Sequence, residues 1–374
     1  MVNLLDELDQ FRKFLRWTLS AGPALDSGDI PLGEAIDRLH QCGLLLAPVA
    51  VQFGGLGWAT ENNRALVLGD VLREVGYANL SLGRLYEGHV NAVKLVDEYG
   101  TTSQKASFAS DIARGAMSGI WNANPAAGSA WLDCSEPMMR LRGKKSYCSG
   151  AGSITRPLVS VDRIGQPQLA LLSELAAGRV DLSAWRPTGM RASATANVDL
   201  EGIEVADQSL IGGPGDYLRE PLLTCGAWRF VAVQLGGLQA LVDSAVSHLA
   251  DRGRVDFEPH RTRFAEIAVT MEALRLMVRE AALVTAAMTL SDQLHAIAAV
   301  EMARVTIDRD AFAVCEAVVR SVGLHSQLQP EPVERLLRDI GTYLRQPGAD
   351  MVKSRLGRAR LSPGAFFPAA LSAR

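Results

Sequence analysis

Proton transfer, metal binding and phosphate capture each need particular residue types at particular spacings, and few places in this 374-residue sequence supply them. Asp350 is a carboxylate just past the turn Gln346-Pro347-Gly348-Ala349, where it is either a general base or an exposed acid balanced by Lys353 and Arg355. His89 falls on a helical pattern with no acid beside it in sequence, the usual setting of a satisfied structural imidazole. His325, beside Gly323, could touch a ligand or cap a helix, and capping is the simpler role. Glu258 and His260 flank Pro259 in what reads as a solvated loop between helices. Gly54, Gly55 and Gly57 could admit a ligand to the backbone, but glycines in such turns commonly serve positive φ. The five cysteines show no C-x-x-C spacing, so neither a zinc site nor a disulfide framework is suggested. No G-x-G-x-x-G follows a strand and no Walker loop occurs, which leaves nicotinamide and nucleoside-triphosphate chemistry without support.

These residues must be held by a folded chain, and the composition provides for one. Hydrophobic residues make up 48% and charged residues 21%, with 38 Lys plus Arg against 41 Asp plus Glu. That balance excludes disorder, and with no long basic run it excludes the electrostatic footprint of a nucleic-acid binder. The first residues mix acids and bases from Asp6 onward, and the apolar stretch Cys42–Ala59 is broken by Pro48, Gln52 and three glycines. A cytoplasmic protein without a membrane partner is therefore expected, with Cys42–Ala59 a buried loop or short strand.

Hydrophobic periodicity divides the chain in three. Helical spacing over Leu4–Leu19, Asn62–Val75, Leu80–Tyr99 and Ser103–Arg114 predicts a helical domain over 1–115, with Gly76, Gly100 and Gly115 as helix stops. Short apolar runs with alternation at Gln168–Leu172 and Thr195–Leu200 predict a β-domain over 116–218, closed by Gly212–Tyr217. Helical patterns return at Phe230–Ala250, Arg263–Met288, Asp292–Arg320 and Pro332–Leu344, predicting a helical bundle over 219–374.

The order α, β, α, together with several local motifs, resembles the acyl-CoA dehydrogenase superfamily over nearly the whole chain. GGLGW (Gly54–Trp58) and LREVGYANLSL (Leu72–Leu82) resemble the first domain's loop and helix. ANPAAGSA (Ala123–Ala130) and GKKSYCSGA (Gly143–Ala151) resemble the two flavin-contacting β-segments, and GMRASATANVDLEGIEV (Gly189–Val205) the last β-domain signature. RVDF (Arg254–Phe257) is similar to the segment whose arginine reaches the flavin pyrophosphate of a neighbouring subunit, and PVERLLRDIGTYLRQPG (Pro332–Gly348) aligns without gaps to the family's last helix and catalytic turn. The resemblance implies an α+β fold with an N-terminal helical domain, a middle β-barrel-like domain and a C-terminal four-helix bundle. It further implies bound FAD touched by Ser129, Tyr147, Ser149, Arg254, Phe257, Arg320 and Gly323, and a homodimer or homotetramer.

The chain departs from that pattern where the chemistry is done. The family's reaction removes the α-proton of an acyl thioester with a glutamate, and the matching position here is Pro347, which has neither carboxylate nor backbone N–H. The alternative position for that base is Trp228, ahead of Arg229. Ala123 and Ala130 replace a flavin-bonding threonine and an aspartate, and Arg320 replaces a glutamine. Arg338 and Asp339 read as a structural pair. The leading expectation is an FAD-dependent oxidoreductase acting on acyl-CoA or another activated small molecule, with an electron-transfer partner and Asp350 as the base. The alternative is a flavin monooxygenase fed by a reductase, because RDIGTYLRQP (Arg338–Pro347) is also similar to that branch's loop and oxygen activation needs no α-proton base. A non-catalytic binding or scaffold subunit is the third reading.

Overall fold

A computed structural model describes residues 4–126, 128–289 and 291–361. Helices α1 (Leu4–Ser27), α2 (Leu32–Gln41), α3 (Ala65–Ala78), α4 (Leu80–Tyr99) and α5 (Thr102–Ala113) come first. Asn79 alone separates α3 from α4, and its side-chain oxygen accepts the Leu82 N–H at 3.0 Å, starting the new helix. α5 opens with a reciprocal cap in which the Gln104 N–H donates to Thr101 Oγ1 at 3.3 Å and the Thr101 N–H donates to Gln104 Oε1 at 2.8 Å. One expectation is corrected here. Gly76 does not end α3 but lies within it, because a Cβ there would stand 2.2 Å from the Val233 carbonyl oxygen of the helix packed against it. Of the two alternatives for Cys42–Ala59 the chain takes the loop, with turns and a short 3-10 helix, and Gly55 is required there because a Cβ would meet the Val49 carbonyl oxygen at 2.0 Å.

The middle of the chain carries β1 (Ser118–Trp121), β2 (Trp131–Asp133), β3 (Met139–Arg142), β4 (Lys144–Cys148), β5 (Arg156–Arg163), β6 (Gln166–Leu171), β7 (Val180–Asp181), β8 (Ala196–Asp199), β9 (Glu204–Val205) and β10 (Leu210–Ile211). One sheet runs β10-β6-β5-β2-β3-β9, with β1 also parallel to β5, and a second runs β4-β8-β7. The last part is helical again: α6 (Leu222–Cys225), α7 (Trp228–Asp251), α8 (Glu258–Ala286), α9 (Gln293–Val322), α10 (Pro332–Tyr343) and α11 (Ala349–Arg360). The fold is thus the α+β arrangement of helices, central sheets and helices. By composition the span 222–251 could cross a membrane, but 61% of its apolar window is buried, as befits the core helix of a bundle. α11 escapes sequence periodicity because Val352 is its one buried side chain among the described residues.

α10 is fastened to the other two regions by Arg338 and Asp339, which do not pair with each other. The buried Asp339 carboxylate accepts the Met190 N–H at 2.5 Å, while Arg338 donates to Asp26 on α1 at 2.8 Å and to the Thr188 carbonyl at 2.8 Å. Gly189 permits this, since a Cβ there would lie 2.1 Å from Arg338 backbone atoms.

His89 joins three regions in the same way. Its Nε2–H donates to the Leu45 carbonyl at 2.8 Å, and its bare Nδ1 accepts the Ser118 N–H at 3.1 Å, which fixes a neutral tautomer at a fully buried position. Burial lowers its pKa from 6.5 to about 4. The unfolded chain takes up this proton first as pH falls, so the stability from the neutral ring is complete above about 6.5 and is lost on the way down to about 4. Asp339, pushed up to about 6 by burial, acts in the opposite sense, so the measurable quantity is the difference between wild type and His89→Gln. Their urea midpoints should converge by about 2–3 kcal/mol as pH is lowered from about 7 to about 4.5; a constant gap would refute the neutral ring. A second expectation concerns the β5–β6 turn, where exposed Ile164 has φ 54° beside Gly165 at φ 78°, a two-residue turn hostile to a branched side chain. Ile164→Asn should raise the urea midpoint by the equivalent of about 1 kcal/mol.

Candidate functional site

The loop after β1 and the edge of β4 form one wall. The buried Lys145 ammonium donates to the Asn122 carbonyl at 3.0 Å and to Asn124 Oδ1 at 2.6 Å, and burial lowers its pKa to about 8. Asn124 in turn donates to Ser129 Oγ at 3.2 Å, while the Ser146 N–H donates to the Ala123 carbonyl at 3.0 Å. A register shift between Lys145 and Cys148 breaks the β4–β8 ladder, and inside it Tyr147 is held at φ 53° with 71% of its surface exposed. An aromatic ring in a left-handed conformation, turned away from the core, is not explained by packing. Ser149 next to it accepts from Thr195 Oγ1 at 3.3 Å, and Thr195 pairs with Ser193 at 2.9 Å. Tyr147 and Ser149, two residues apart at the end of β4, and Ser129, tied to Lys145 of β4 through Asn124, offer a flat ring and hydroxyls, the kinds of group that the face and polar edge of an isoalloxazine would use.

The other expected cofactor residues lie elsewhere. Arg254 and Phe257 are exposed just past α7, and Gly323, with φ 72°, is exposed just past α9, where Arg320 is tied to Glu316 at 2.6 Å. These two helix ends are neighbours, because the His248 and His325 rings stand 5.2 Å apart. α7 spans 24 residues, so this group is ~36 Å along the helix from Trp228. His325 caps no helix; its Nδ1 is 3.3 Å from Glu331 Oε1. His260 is not in a solvated loop either, being buried in the first turn of α8 with its ring 5.0 Å from Phe257 and its Nδ1 unpartnered.

The α10–α11 turn borders a small recess of about 20 Å³ lined by Phe230, Gln234, Arg304, Asp308, Leu344 and Gln346, among others. Arg304 donates to the Pro347 carbonyl at 3.2 Å, and buried Gln234 donates to the Tyr343 carbonyl at 3.0 Å while its Oε1 stays unpartnered. Asp350 does not line this recess. Its side chain is fully exposed and 3.9 Å from Lys353 Nζ, which is bound more closely to Asp308 at 2.6 Å. The first turn of α11 thus directs Asp350, the expected base, outward. Trp228 is fully buried and carries no carboxylate to the site.

Sequence reading passes over a buried polar network between α4 and α7. Arg84 and Glu87 form an ion pair, Asn91 donates to the second oxygen of Glu87 at 2.6 Å, and Arg229 donates to Asn91 Oδ1 at 2.6 Å. The available signal was the recurrence of Arg84, Glu87 and Asn91 at helical spacing on an otherwise apolar helix.

Comparison with known proteins accords with this architecture. The description "Acyl-CoA dehydrogenase, N-terminal domain" matches residues 8–116, and "Acyl-CoA dehydrogenase, C-terminal domain" matches residues 217–361. The mitochondrial isobutyryl-CoA dehydrogenase of Dictyostelium discoideum is 25% identical over 75% of this chain and 71% of its own length. A probable FMNH2-dependent monooxygenase, SfnC of Pseudomonas putida, is 24% identical over 85% of this chain and 89% of its own. In fold, the chain is similar to dibenzothiophene monooxygenase TdsC from Paenibacillus sp. A11-2, with TM-score 0.83 and 20% identity over 95% of this chain and 97% of that one. Matched at both its helical ends, the chain belongs to the acyl-CoA dehydrogenase family of flavoprotein oxidoreductases.

Proposed function

We propose that this chain is a flavin-dependent monooxygenase of the acyl-CoA dehydrogenase family, acting on a small molecule with reduced flavin delivered by a separate reductase. One observation carries this reading: Pro347 stands in the α10–α11 turn, Asp350 faces solvent, and the carboxylate that does line the recess beside the turn, Asp308, is tied to Lys353 at 2.6 Å. A dehydrogenase must hold a base within hydrogen-bond reach of the substrate's α-proton, whereas oxygen insertion makes no such demand. The relatives named SfnC and TdsC favour the same reaction class.

Bound reduced flavin supplies the electrons for oxygen activation. The protein's own part is to stack Tyr147 on the ring face and offer the Ser149 and Ser129 hydroxyls to its polar edge. FMN is the preferred form, since Arg320, the counterpart of a residue that would meet the dinucleotide, is occupied by Glu316; FMN is also present in a TdsC structure. FAD in a dehydrogenase is the second reading, favoured by Arg254 and Phe257, which stand exposed just past α7, open to a neighbouring copy of the chain. That reading brings with it a homodimer or homotetramer. The five unpaired cysteines suit a cytoplasmic setting for either reaction.

Three outcomes test this assignment. Oxygen consumption should require both reduced flavin and an aromatic or sulfur-containing substrate, and anaerobic bleaching of oxidised flavin by an acyl-CoA panel would decide instead for the dehydrogenase. Asp350→Asn should leave turnover within a few-fold of wild type, while a loss of about a hundredfold would restore it as the base. Tyr147→Ala should weaken flavin binding about tenfold by fluorescence titration without lowering the urea midpoint, because the exposed ring supports nothing in the core. Titrating FMN and FAD in parallel distinguishes the two forms.

A further inference from the structure

Lys145 is 1% exposed, and among the described residues its ammonium donates to two oxygens, the Asn122 carbonyl at 3.0 Å and Asn124 Oδ1 at 2.6 Å. An ammonium can only donate, so the amide atom that faces it must be the oxygen. The Ala130 N–H, 3.5 Å from the same Oδ1, agrees with that orientation. The Asn124 nitrogen is thereby turned to Ser129 Oγ, 3.2 Å away, and an amide nitrogen also can only donate. Ser129 therefore accepts on its inner side. Its own proton meets no acceptor among the described residues, and because Ser129 is exposed, that proton is free for whatever lies against the wall.

This arrangement depends on a buried cation with no carboxylate to answer it. Burial lowers the Lys145 pKa only to about 8, so the group stays charged at neutral pH. Among the described residues the titratable group that bears on it is Cys148 of the same strand, whose thiol burial pushes up to about 12 and keeps neutral. Across the ladder Lys145 faces Val198, and the acid of that strand, Asp199, stands opposite Lys144 instead. The charge-assisted bond from Lys145 polarises the Asn124 amide, and each bond in such a chain strengthens the next donor. Ser149 is set in the same sense, since it accepts from Thr195 Oγ1 at 3.3 Å.

We propose that Lys145, acting through Asn124, is a positioning residue that fixes the Ser129 hydroxyl as a donor towards the bound flavin and so favours the reduced form over the oxidised. Reduction adds negative charge to the polar edge of the ring system, and a donor already aimed there gains strength as the charge appears. A monooxygenase that collects reduced flavin from a separate reductase needs this preference. The inference rests on the reading of Ser129 as a flavin contact.

The test is a redox titration of FMN bound to the full chain, followed by absorbance against a reference dye at neutral pH. Asn124→Asp keeps the bond to Lys145, but a carboxylate only accepts, so it draws the Ser129 proton inward and the outward donor is lost. Ser129→Ala removes that donor outright. Each should lower the midpoint potential by about 30 mV, the equivalent of an about tenfold loss of preference for reduced FMN. In the double variant the shift should be no larger than in Ser129→Ala alone. Lys145→Met should shift the potential the same way, and Asn124→Asp, at an exposed position, decides the matter even if Lys145→Met does not fold. An Asn124→Asp shift that persists undiminished beside Ser129→Ala is a charge effect and overturns the proposal, as does a potential that Ser129→Ala lowers and Asn124→Asp leaves unmoved. If Ser129→Ala changes neither the potential nor the FMN affinity, the reading of Ser129 as a flavin contact falls and the proposal with it. A failure of oxygen consumption with these shifts intact counts against the monooxygenase reading alone.

Discussion

The Asp339 carboxylate, 3% exposed, accepts the Met190 N–H, and that hydrogen bond is the constraint on which the site depends. Withdrawing a carboxylate from water is costly, and burial pushes this one up to about 6 despite the N–H and the Arg335 guanidinium 3.5 Å away. Arg338 adds bonds to α1 and to Thr188, and Gly189 lets the two backbones touch. Helical bundle, β-domain and first helix therefore meet at a single turn of α10. The α10–α11 turn begins a few residues further on, so its place relative to the β-domain wall is inherited from this clamp.

That wall is held open at some cost. Lys145 has no carboxylate beside it, only the Asn122 carbonyl and the Asn124 amide oxygen, and Tyr147 occupies a backbone region that side chains disfavour. Neither feature helps the core. Both become intelligible once a flat, polar-edged ligand lies on Tyr147 and Ser149, because a preformed surface spares the ligand the ordering of loops. Strain and buried charge in one short stretch are the mark of a binding surface rather than of a fold element.

The chemical identity of the site is set by what is missing from it as much as by what it holds. A carboxylate has been exchanged for Pro347 at the turn, and Trp228 fills the alternative position without supplying an acid. Meanwhile a buried cation, Arg229, stands where no protein anion answers it among the described residues.

Periodicity and composition alone determine the α, β, α order and most helix positions, because a helix such as α10 buries one face, with Val333, Leu336, Ile340 and Tyr343 at helical spacing. The resemblance carried by Arg338–Pro347 and Gly143–Ala151 likewise marks the turn and the flavin wall by residue type. Several features stayed hidden. α2 carries a legible stripe, Leu32, Ala35, Ile36 and Leu39 at helical spacing, although it is not among the helices expected from the sequence, whereas α11 buries only Val352 among the described residues, too little apolar signal for a pattern to register. Gly76 reads as a stop in one dimension and is a packing contact in three, since the Val233 carbonyl comes from more than a hundred residues away in sequence. The outward direction of Asp350, the neutrality of His89 and the unpaired charge of Arg229 are also decided only in three dimensions. Each depends on which atoms from distant segments share the same few ångströms, and charge, burial and hydrogen bonding are properties of that neighbourhood rather than of the residue type.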